Sequence, residues 1–89
     1  MNEIHKIMKL VLKKLVNLRM WGGKHTEVKN LVKGLPNHFL SNRQGQKIFK
    51  KAIKELKNKE FLLSKPSTGE EHIFLNPRKV KDIQEFLRE

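Results

Sequence analysis

Cysteine and tyrosine are both missing from this 89-residue chain, tryptophan occurs once, and nine Asp and Glu stand against twenty Lys and Arg. Without cysteine there is no disulfide framework, no thiolate metal site and no thiol chemistry, and the composition suits a reducing cytoplasm. With no Tyr, and with Phe residues set among apolar neighbours, stacking on single-stranded bases is poorly provided for. The acids lie in terminal or turn-rich positions and form no paired-carboxylate arrangement. No glycine-rich phosphate loop or nucleophile motif occurs either, so the chain reads as a non-enzyme that needs no cofactor. No run approaches the roughly 18 apolar residues that mark a membrane span. Near the N-terminus Lys13 and Lys14 break the run LVL, which argues against a secretory signal. The expected location is cytoplasmic and nucleoid-associated, with no membrane partner.

What the chain has in abundance is positive charge, +11 overall with a pI near 10.2. A domain pI above about 9 is the electrostatic footprint of nucleic-acid binding, although ribosomal, chromatin and membrane-surface proteins share it. The length suits one domain over residues 1–89, burying roughly 60–65% of the surface its unfolded chain exposes. That leaves little room for an enclosed cleft with a cofactor domain.

Hydrophobic spacing orders the elements. Ile4, Ile7, Met8, Val11, Leu15 and Leu18 recur at threes and fours, predicting a first helix over about residues 3–19. Leu10, Leu12 and Val16 fall outside that stripe and widen the apolar arc, so this helix is expected to meet two neighbours or a second subunit. Trp21, Gly22 and Gly23 should end it. Thr26 offers an N-cap with Glu27 in the first turn, and Val28, Leu31 and Val32 give an inward face, for a second helix over about 26–33. Gly34, Leu35 and Pro36 supply a cap and a stop, and Phe39 and Leu40 are expected to plug the core.

The third helix, about 42–58, is capped by Ser41 or Asn42 and is the most informative stretch. Residues 41–59 carry seven Lys or Arg against one Glu. Ile48, Phe49, Ala52, Ile53 and Leu56 share one arc, with Arg43, Lys47, Lys50 and Lys54 opposite. Gly45 lies on the apolar side, where a glycine costs roughly 1 kcal/mol relative to Ala, and close approach of the second helix is the expected compensation. EFLLSK, then PSTGE, then HIFL read as a β-hairpin over about 60–75. Asn76 and Pro77 open a last helix, about 77–88, with a stripe of Val80, Ile83 and Leu87 and Phe86 at its edge.

The segments GGKHTEVKNLVKGLPNHF and HIFLNPRKV, in an order of helix, short strand or turn, helix, helix, strand, wing, strand and helix, resemble the winged helix-turn-helix superfamily. The two segments look like those of small archaeal winged-helix proteins of mostly unassigned function. The resemblance implies an α+β, mainly helical fold: a three-helix core, a β-hairpin wing and a C-terminal helix. It further implies double-stranded DNA binding in transcription regulation. Recognition-helix N-termini meet base edges in this class, which makes Asn42, Arg43, Gln44 and Gln46 the candidate base readers. Lys47, Lys50, Lys51 and Lys54 suit phosphates, as does Lys65 in the wing. The wing otherwise departs from the pattern, because Glu70 and Glu71 oppose Lys65. Lys24 and Thr26, at the start of the second helix, could grip a phosphate through backbone N–H groups, or Thr26 could be a plain cap.

Bland readings stand beside these. A solvated helix in a Lys-rich chain carries lysines without any ligand. Trp21 fits the core edge better than a base. His5, His25, His38 and His72 match no zinc spacing, so no metal is expected. The rival functions are RNA or ribosome binding by the same face, and a winged helix that binds protein. A homodimer through the first and last helices is also expected, and membrane association would require the first stripe to be free of the core.

Overall fold

The computed structural model of the chain describes residues 3–32, 35, 42–67 and 69–89. Expectations for Gly34, Pro36, His38, Phe39, Leu40, Ser41 and Thr68 fall outside those residues. Described elements run α1 (Glu3–Asn17), β1 (Thr26–Glu27), α2 (Val28–Val32), α3 (Arg43–Asn58), β2 (Leu62–Ser67), β3 (Glu70–Leu75), a 3-10 turn (Pro77–Lys79) and α4 (Val80–Arg88). The result is a mostly helical α+β arrangement with a three-stranded antiparallel sheet of order β1-β3-β2.

The helix α1 buries Ile7, Met8, Val11, Leu12 and Leu15. It packs against α3 and also touches α4 and β3, so three neighbours inside the chain cover its wide apolar arc. Leu12, expected outside the stripe, is fully enclosed, whereas Leu18, expected within it, is 46% exposed. The reason is where the helix stops. Arg19 takes a left-handed φ of 56°, and the Arg19 and Met20 N–H groups donate to Val16 and Leu15 carbonyls at 3.0 Å each. This is a Schellman closure built on arginine, so the glycine pair serves the following turn and does not terminate the helix. There Gly22 (φ 56°) donates to the Leu75 carbonyl, Leu75 N–H donates to the Met20 carbonyl, and Trp21 lies half-buried against the core.

The same device closes α3. Glu60 sits at φ 64°, and Glu60 and Phe61 donate to the carbonyls of Lys57 and Leu56. Buried Phe61 and Leu56 make the apolar contact that accompanies such a cap. At the other end Asn42 is the N-cap, its Oδ1 accepting from Gly45 N–H at 2.7 Å. Gly45, Phe49, Ala52, Ile53 and Leu56 face inward.

Thr26 and Glu27 pair with Ile73 and His72 of the central strand, so α2 begins at Val28 and Thr26 belongs to a strand, not to a helix cap. Strands β2 and β3 pair from Leu62↔Leu75 to Ser67↔Glu70, and Gly69, just before β3, has φ 79°. Pro66 is accommodated because β2 is an edge strand. Beyond the hairpin, Asn76 is buried. Its Oδ1 accepts from Arg78 N–H at 3.0 Å and its Nδ2 donates to the Glu60 carbonyl at 2.9 Å. Pro77–Lys79 form a 3-10 turn, which rotates the helix that follows. Ile83 and Phe86 therefore enter the core while Val80, expected on the stripe, is 37% exposed.

Candidate nucleic-acid interface

Burying one side of α3 leaves the opposite side to cations. Arg43, Gln44, Gln46, Lys47, Lys50, Lys51 and Lys54 are all exposed. They divide into two rows. Arg43, Gln44, Lys47 and Lys51 border a cleft floored by Ile4 and Ile48 on the side of α1, and Lys50, Lys54 and Lys57 border another floored by Val28, Phe49 and Ile53 on the side of α2 and the hairpin. The ridge between the rows is a convex surface with positive charge on both flanks.

The acids of the hairpin do not cancel this ridge. Glu71 pairs with Lys57 near the C-terminal end of α3, and Glu70 lies 3.3 Å from Lys29 of α2. Lys29 also meets Glu27 at 3.1 Å. A hydrogen bond from Lys29 holds the Glu27 carboxyl below its ordinary range despite partial burial, and the hydrogen bond to Glu27, followed by that to Glu70, raises the Lys29 ammonium. These carboxylates thus fasten hairpin, α2 and α3 to one another, the pairs of Glu70 and Glu71 being worth little because both carboxylates are exposed.

The other expected contacts are distributed unevenly. Lys65 is exposed on β2 beside the hairpin turn. Lys24 is exposed, with its N–H donating to the Trp21 carbonyl. Thr26 is half-buried, and its Oγ1 accepts from Asn30 Nδ2 at 3.3 Å, which engages the hydroxyl in local structure. Asn42 likewise has its carbonyl oxygen committed to the cap of α3.

Sequence reasoning missed one cluster. His25 and His72 face each other with Nδ1 atoms 2.7 Å apart, and His72 Nε2 lies 3.9 Å from Glu27 Oε1. The sequence around His72 reads as a strand but that after His25 reads as a helix start, and the register that joins them depends on a strand of two residues. Among the described residues no three His, Cys, Asp or Glu converge on a point that could hold a metal, and no described helix is long and apolar enough to cross a membrane. No family model, curated protein or solved structure matches the chain, so its reading rests on its own residues.

Proposed function

We propose that the protein is a winged-helix DNA-binding protein that lays α3 into the major groove of a duplex and acts as a transcriptional regulator. The observation that carries this reading is the ridge of α3. Seven consecutive outward positions are Arg, Lys or Gln, and the cations flank the helix in two rows. A helix in the major groove has a phosphate backbone on either side, so two rows suit the two strands better than a single basic stripe would. The element order and the β1-β3-β2 sheet, with β2 and β3 as the wing, support the winged-helix reading.

Roles follow from position and chemistry. Arg43 can fork onto guanine O6 and N7, and Gln44 and Gln46 can bridge adenine N6 and N7, because they lie in the first turn of α3. Lys47, Lys50, Lys51 and Lys54 hold phosphates, with Lys24 and Lys65 as outlying contacts. Asn42 fixes the start of the helix, and Thr26 is assigned to the β1 strand and carries no phosphate. Duplex RNA is a poorer fit, since side chains cannot read its deep, narrow major groove.

Charge reversal at Lys47 and Lys50 tests this assignment. Each lies on one row and each is exposed, so the double variant Lys47→Glu/Lys50→Glu should fold normally by circular dichroism and lose at least about 100-fold in duplex-DNA affinity at low salt. Retained affinity in a folded double variant would remove α3 from the interface.

A further inference from the structure

The outer face of the sheet carries a row of ionisable side chains that the DNA reading leaves unexplained. Glu27 on β1, His72 on β3 and Lys65 on β2 are cross-strand neighbours. His25 stands immediately before β1, its ring edge-on to that of His72 with centroids 4.8 Å apart. An Nδ1 to Nδ1 separation of 2.7 Å requires that one nitrogen carry a proton and the other present its lone pair. Glu27 decides which. With its Oε1 3.9 Å from His72 Nε2, the proton of His72 is favoured on Nε2, which leaves His72 Nδ1 as acceptor and His25 Nδ1–H as donor.

A first additional proton can enter at His25 Nε2 without disturbing that bond. A second must go to His72 Nδ1, where it would set N–H against N–H and put two imidazolium ions beside Lys65. We propose that His25 and His72 form a proton-operated clasp tying β1, and through it the start of α2, to the hairpin, and that acidification releases it.

Charges of both signs surround the clasp. Lys65 of β2 stands beside the pair and opposes added positive charge at His25, while Glu27 of β1 lies on the Nε2 side of His72. Glu27 and Glu70 of β3 share the single ammonium of Lys29 of α2. The His25 imidazole titrates below its ordinary value, first because it is partly desolvated, then because of Lys65 and His72. The unfolded chain therefore takes up protons more readily, and stability should fall as pH drops below about 6.5. Lys24 and Lys65, both assigned to phosphates, stand on opposite sides of the clasp. Opening should part them and weaken duplex-DNA binding roughly fivefold, the loss of one or two phosphate contacts outweighing the added charge. That consequence rests on the proposed DNA reading, whereas the clasp does not.

The test is imidazole nitrogen NMR at pH 8, with amide hydrogen exchange of Thr26 and Glu27 followed from pH 8 to 5 in the absence of DNA. The clasp predicts a protonated Nδ1 on His25 and a protonated Nε2 on His72. It also predicts a loss of protection, relative to intrinsic rates, of about tenfold or more below pH 6. His25→Phe keeps the ring contact and should abolish the pH step, and His72→Gln should do the same if that variant fails to fold. Two Nε2–H tautomers titrating independently, with protection unchanged by pH, would overturn the proposal. If exchange switches as expected but DNA affinity does not follow, the coupling to DNA is wrong and the clasp stands. Absence of DNA binding at every pH is a failure of the DNA reading alone.

Discussion

At the scale of single residues, two asparagines supply the side-chain oxygens that cap the backbone. Asn76 sits 8% exposed between the Glu60 carbonyl and the Arg78 N–H, joining the end of α3 to the start of the C-terminal helix. Asn42 accepts from Gly45 N–H at the start of α3. Replacing Asn76 by Ala leaves the part-buried Glu60 carbonyl and Arg78 N–H without this partner and should cost about 1–3 kcal/mol, whereas Asn42→Ala should cost about 1 kcal/mol, both read by urea denaturation. Equal costs would mean that burial does not separate the two. Both caps were legible, since Asn before Pro and Asn before a basic amphipathic run are local signals. The histidine pair was not, because His25 and His72 are 47 residues apart and meet only through strand register.

At the scale of elements, the helices and the hairpin follow from spacing, and their ends do not. Apolar periodicity located α1, α3 and the C-terminal helix, yet the first was expected to run to Arg19 and to stop at glycines. The actual stop is a left-handed Arg19, echoed by Glu60 after α3. Neither is visible in sequence, because propensity assigns that conformation to Gly or Asn. These two positions carry strain that glycine would relieve, partly offset by the greater freedom glycine gives the unfolded chain. Arg19→Gly and Glu60→Gly should each raise stability by about 0.5–1 kcal/mol, measured as a higher urea midpoint with unchanged slope. A decrease at either site would show that its side chain contributes more than its backbone costs. The two-residue β1 was harder still. Thr26 and Glu27 have the chemistry of a helix start, and tertiary pairing with the central strand overrides that preference. The 3-10 turn at Pro77–Lys79 had a similar effect, exchanging Val80 for Phe86 on the buried face.

At the scale of the whole molecule, opposite charges are sorted. The acids of the hairpin engage Lys29 and Lys57 at the periphery, leaving Arg43, Lys47, Lys50, Lys51 and Lys54 on one exposed ridge. Such a surface is a poor way to stabilise a fold, since like charges repel, and a good way to attract a polyanion. Its existence was legible from the opposition of Ile48, Phe49, Ala52, Ile53 and Leu56 to the lysines. Its division into two flanking rows required the packing of α3 against α1 on one side and α2 with the hairpin on the other. Fluorescence anisotropy of the purified protein against a 25-base-pair DNA duplex, a matching RNA duplex and a single strand, across a salt series, tests the central claim directly. The account predicts preference for duplex DNA and an affinity falling with a log-log slope of about −4 to −8, as roughly 0.9 per neutralised phosphate requires. Tighter binding to RNA, or no binding to the DNA duplex at low salt, would contradict it.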